Sequence, residues 1–144
     1  MVADGSARRF GVAWLGMCLA FAAHVVDEAT TGFLAVYNPT VEAIRARVPW
    51  LPLPTFTFRV WLRLLIVAVS LLLGLSVFAF RGARWLRPLA YAFAVVMLVN
   101  GTVHTVGTLY MKRAMPGVYS SPLLFAGSIW LLVATRRASK SEVA

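Results

Sequence analysis

Apolar residues fall into four long runs, separated by short stretches rich in arginine, proline or glycine. The runs cover about residues 10–29, 58–80, 88–110 and 119–134. A helix needs about 20 mostly apolar residues to cross a bilayer. Three runs meet that length. The fourth is shorter but apolar except for small polar residues, and an interfacial turn at one end would complete it. The pattern predicts an all-α fold: a polytopic membrane protein, a four-transmembrane-helix bundle in one domain over residues 1–144. No internal repeat is visible.

The longest connection, residues 30–57, separates the first two runs. Asn38 is suited to cap a short helix with Pro39 at its first position. Val41, Ile44 and Val48 would then share one face, so a short interfacial helix is expected. Pro49, Trp50, Pro52 and Pro54 follow as a stiff, anchored link. The segment is either a plain connector or a lid over the bundle. At the other end of the first run, Arg8-Arg9, the apolar stretch and Ala20-Phe21-Ala22 are similar to a secretory signal peptide. Three later spans, and an apolar run that continues past Ala22, favour a retained first helix.

Composition names the solvent. Of 144 residues, 60% are hydrophobic and 13% charged, against roughly 25% charged in soluble domains. Mean hydropathy is +0.79. Too little polar material is present to coat a water-facing surface. The net charge of +9 comes from 14 Lys and Arg against 5 Asp and Glu. Arg8, Arg9, Arg81, Arg84, Arg87, Arg136, Arg137 and Lys140, eight in all, fall on one side of the predicted topology. Six fall on the other: Arg45, Arg47, Arg59, Arg63, Lys112 and Arg113. The bias favours cytoplasmic termini and attraction to anionic membrane lipid. No domain is left outside the membrane to bind nucleic acid, and no phosphate-cradling glycine motif points to a nucleotide. One cysteine, Cys18, excludes an internal disulfide; in an apolar run it packs as a small hydrophobe. Trp14, Trp61, Trp85 and Trp130 are expected as belt residues or lipid contacts. Gly74, Gly101, Gly107 and Gly127 are expected to permit close helix packing.

Ionisable residues inside spans are costly, ~2.5–3.5 kcal/mol for a central charge on insertion scales, so they tend to be paired and functional. Here they are not scattered. The first and third spans run in the same direction. At about 1.5 Å per residue, His24 lies ~20 Å and His104 ~24 Å from the start of its span. The two imidazoles therefore meet at one level. His24 and Glu28 are four apart and share a helix face, with Asp27 beside it. Asn100 and His104 form a second such pair, Arg59 and Arg63 a third. A four-helix bundle can turn all three pairs inward. The candidate catalytic residues are His24, Asp27, Glu28, Arg63, Asn100 and His104. Tyr119, Ser120 and Ser121 read as helix-start or interfacial residues.

The stretch His24-Val25-Val26-Asp27-Glu28 resembles the signature of the HXXEE-domain family of small bacterial integral membrane proteins. Asn100-Gly101-Thr102-Val103-His104 and Pro116-Gly117 agree with that pattern, and the resemblance covers about residues 20–133. Asp27 departs from it, standing where the motif has Glu. The resemblance implies a multi-pass protein of the plasma (inner) membrane with a catalytic or metal site, and supplies no substrate.

Two imidazoles and a carboxylate suit a divalent metal, Zn or Fe, on His24, Glu28 and His104 with an open coordination position. The same groups can work as an acid–base relay without one, Arg63 then holding a carboxylate ionised. No HExxH motif occurs, so no zincin-type protease is supported. The leading expectation is a membrane-embedded enzyme acting on a hydrophobic, lipid- or isoprenoid-like small molecule. The alternatives are a small transporter or proton pathway, and a structural subunit of a membrane assembly. Oligomeric state is left open by the sequence.

Overall fold

A computed structural model describes residues 2–140, with side chains from residue 5 onward. The fold is all-α, with five helices among the described residues: α1 Val2–Thr31, α2 Leu34–Arg47, α3 Phe58–Phe80, α4 Leu86–Met111 and α5 Ser121–Lys140. Three of them, α1, α3 and α4, are long and apolar enough to cross a membrane. They point to a membrane protein. The apolar part of α5 is shorter, because Arg136, Arg137 and Lys140 occupy its last turns.

α1 is the central helix, packed along α3 on one side and α5 on the other, with α5 in turn packed along α4. Its Phe10, Ala13, Trp14, Met17, Cys18 and Phe21 are buried. They meet Ala90, Phe93, Ala94 and Met97 of α4 and Leu124 and Leu131 of α5. Trp14 and Phe21 both pack on Phe93, with ring centroids 5.7 and 5.9 Å apart. With Trp14 on Phe93 and the later His24 on the later His104, α1 and α4 run in the same direction, as the sequence predicts. The outer surfaces remain apolar: Leu64, Ile66, Val67 and Leu71 of α3 and Val95, Val96, Val99 and Val103 of α4 are exposed. So much contiguous apolar surface suits lipid better than water.

Trp14 is not a belt residue. It is fully buried, and its indole N–H donates to the carbonyl of Leu72 at 2.9 Å. An interior indole needs such an acceptor, and the α1–α3 packing supplies it. Trp61 is also buried, while Trp85 and Trp130 are exposed as expected. Of the packing glycines, Gly127 lies against Met17, whereas Gly74 faces open space.

α1 ends where Gly32 adopts φ +80°, and the Phe33 N–H returns to the Glu28 carbonyl at 3.0 Å. This is a Schellman-type stop, and it turns Phe33 back over the bundle. α2 then begins at Leu34, four residues before the expected cap, and Pro39 lies inside it. Asn38 does not cap. Its amide oxygen accepts from the Phe56 N–H (3.1 Å) and its amide nitrogen donates to the Phe56 carbonyl (2.9 Å). The Tyr37 hydroxyl donates to the Pro54 carbonyl at 3.1 Å. These two side chains hold the irregular segment before α3. Of the expected apolar face, Val41 is buried, Val48 half-buried and Ile44 exposed. α3 opens at Thr57, whose hydroxyl accepts from the Val60 N–H, an N-cap that satisfies one orphan donor.

Candidate functional site

The two histidines meet. His24, three-quarters of the way along α1, and His104, late in α4, are almost fully buried, with ring centroids 4.9 Å apart and planes at 69°. Glu28, one turn beyond His24, is also buried. Its Oε1 lies 3.1 Å from His104 Nε2 and 3.4 Å from His24 Nε2. One carboxylate oxygen thus sits between two imidazole nitrogens carried by different helices.

The turn before α5 closes the site. Gly117 has φ +87°, and a Cβ there would fall 2.8 Å from His104 and 2.9 Å from His24. Only glycine meets both conditions. Ser120, one turn on, is buried and bridges two residues of α1. Its Oγ lies 2.7 Å from His24 Nδ1 and 2.8 Å from Asp27 Oδ2, and its backbone N–H donates to the same Asp27 oxygen at 2.8 Å. On the α4 side, the Asn100 amide nitrogen is 3.2 Å from His24 Nε2.

These contacts assign the His24 protons. Asn100 Nδ2 can only donate, so His24 Nε2 accepts and the ring hydrogen sits on Nδ1. Nδ1–H donates to Ser120 Oγ, whose own hydrogen goes to the acceptor-only Asp27 carboxylate. The result is a carboxylate–hydroxyl–imidazole chain that fixes ring orientation, with Nε2 within reach of both Asn100 and Glu28. Histidines that ligate metals are commonly held this way through their other nitrogen. His104 is held differently. Its Nε2 faces Glu28, and its buried Nδ1 has no hydrogen-bond partner among the described residues. The Phe33 ring lies 5.8 Å from its centroid and stacks on Trp61 at the same distance, so aromatic surface seals that flank.

His24, Glu28 and His104 can hold a metal ion: one donor atom from each lies within 4.8 Å of the others. A tetrahedral centre with bonds of about 2.1 Å spaces its ligands about 3.4 Å apart, close to the two nitrogen–oxygen separations here. Two imidazole nitrogens and one carboxylate oxygen are the donor set such a cation takes.

Of the six residues read from the sequence as site candidates, five converge: His24, Asp27, Glu28, Asn100 and His104. Arg63 does not. It is exposed, as is Arg59, and among the described residues it makes no ion pair with Glu28. The expectation that the Arg59/Arg63 pair turns inward fails because α3 packs on α1 through the face bearing Leu62, Leu65 and Val69. Arg63 lies off that face. Ser120, expected as a helix-start or interfacial residue, is part of the site. The signal for it was the Pro116-Gly117 turn, which delivers the start of α5 to the level of the imidazoles.

No curated protein matches the chain, and neither does any solved structure. A family model described as a protein of unknown function with HXXEE motif matches residues 14–131. That span holds every residue of the cluster, with Asp27 at the position of the first Glu of the motif, and the chain belongs to this HXXEE family.

Proposed function

We propose that this chain is a membrane-embedded, metal-dependent enzyme acting on a hydrophobic, lipid- or isoprenoid-like small molecule. In this reading α1, α3, α4 and α5 all cross the bacterial plasma (inner) membrane, with both termini in the cytoplasm. The observation that carries it is the convergence of His24, Glu28 and His104 donor atoms within 4.8 Å in a buried site. Buried ionisable groups at membrane depth are rarely retained without a task. A bound Zn or Fe would supply Lewis acidity there.

The chain's own residues divide the remaining work. Asp27 and Ser120 orient His24, and Asn100 presents an amide donor on the α4 side. Phe33 and Trp61 keep water from His104. The same cluster without a metal is an acid–base pair, with Glu28 passing a proton between two imidazoles. A transporter is less well supported. Toward the far end the interior is filled by Phe10, Trp14, Met17 and Phe93. The buried Ser128 and Thr135 hydroxyls are turned to Met17 and to the Leu131 carbonyl.

Elemental analysis of protein purified in detergent without chelator tests the reading. One Zn or Fe per chain is expected in wild type, lost in His104→Ala. Absence of metal from wild type would leave the acid–base version. Incubation with membrane lipid extract, followed by mass spectrometry, should show a conversion abolished by His24→Ala and by Glu28→Gln at unchanged folded yield. Equal loss of yield in both variants would make the cluster a structural lock instead.

A further inference from the structure

At the opposite end of the molecule from the imidazoles, a cavity of about 560 Å³ opens between α4 and α5. Tyr91, Val133, Arg136, Arg137, Ser139 and Lys140 line it. Three of these are cations and none is acidic. Tyr91 is 13 residues before His104 on α4, so the cavity lies ~20 Å from the candidate metal site.

Spacing gives the cavity its chemistry. Val133, Arg136, Arg137 and Lys140 follow the i, i+3, i+4, i+7 pattern and form one stripe of α5. One turn before Val133, Ile129 extends the same stripe and is exposed. Read along α5, an apolar strip becomes a cationic one, over ~16 Å from Ile129 to Lys140. A phospholipid has the complementary order: hydrocarbon, then phosphate. Arginine forks match phosphate oxygens bidentately, and the Tyr91 phenol adds a donor from α4. Among the described residues, Arg136, Arg137 and Lys140 form no ion pair. A soluble phosphate would use the cations but not the apolar strip. Basic pockets between helices at the cytoplasmic interface are a known form of headgroup site.

We infer that the α4–α5 cavity is a binding site for the phosphate headgroup of an anionic phospholipid whose acyl chain lies along Val133 and Ile129. The site is independent of any chemistry at His24 and His104.

The test uses the full chain in nanodiscs of phosphatidylcholine with a minor fraction of phosphatidylglycerol, and native mass spectrometry of the lipid retained on release. Wild type should retain phosphatidylglycerol above its bulk ratio. Arg136→Gln/Arg137→Gln should fall to the bulk ratio. The charge-matched control Arg8→Gln/Arg9→Gln, at the same end of the bundle, should keep the enrichment. Val133→Trp alters no charge and obstructs the cavity from an exposed position, and should also lose it. No enrichment in wild type would overturn the inference. So would equal loss in the two arginine pairs, which marks a general surface field. Displacement of the retained lipid by inorganic phosphate would reassign the cavity to a soluble anion.

Discussion

Ser120 shows how much one side chain decides. Its hydroxyl is the sole link in the chain from Asp27 to His24 Nδ1. Removing it leaves a buried imidazole N–H without an acceptor, which costs about 1–3 kcal/mol, and frees the ring to turn. Ser120→Ala should therefore lower the unfolding temperature in detergent and weaken metal binding by about 10–100-fold, as loss of an outer hydrogen-bond partner commonly does. Competition with a chelating dye measures the second effect. Unchanged affinity at reduced stability would show that the hydroxyl serves folding alone. At this scale the sequence was informative about His24, Glu28 and His104, because a four-residue spacing fixes a shared helix face. It did not by itself single out Ser120, whose role depends on where the Gly117 turn delivers the start of α5. Asp27 shows both outcomes: its place beside the site was readable, but its contact with Ser120 across 93 residues was not.

At the scale of the elements, α2 is fastened at few points. Asn38 makes two hydrogen bonds to Phe56, and Phe33 bridges His104 and Trp61. Each neutral hydrogen bond contributes about 0.5–1.5 kcal/mol net, so Asn38→Ala should release the segment while leaving the bundle folded. Hydrogen–deuterium exchange should rise across residues 34–57 and stay unchanged in α1 and α4. A rise throughout would mean that the clasp supports the whole fold. The membrane-length helices were legible because an apolar run of span length has few other uses. α2 was misread at its start because Asn-Pro is a strong helix-opening signal in isolation. Nothing in the local sequence shows that Phe56, 18 residues later, claims the asparagine. Trp14 was misplaced for a related reason: position near a run end favours the interface, but an acceptor on α3 allowed burial.

For the molecule as a whole, the decisive property is that α1 and α4 climb together while α3 and α5 return. That alternation brings residues 80 apart in the chain, His24 and His104, to one level, and it sends the cations of α5 to the other end. It also yields a topological test of the fourth crossing. Cys18, at 1% exposure, should not react with a membrane-impermeant maleimide, so single cysteines introduced elsewhere report alone. If α5 crosses the bilayer, Tyr119→Cys and Ser139→Cys, at its two ends, should label from opposite sides of sealed vesicles. On the proposed topology, Ser139→Cys should label from the cytoplasmic side together with Arg84→Cys. Labelling of Tyr119→Cys and Ser139→Cys from one side would make α5 a helix that enters and does not cross. The imidazole cluster would survive that result, since Gly117 and Ser120 precede α5. The lipid cavity would not keep its proposed place at the cytoplasmic face. The same experiment therefore separates the two ends of the molecule, one resting on the pairing of α1 with α4 and the other on the passage of α5.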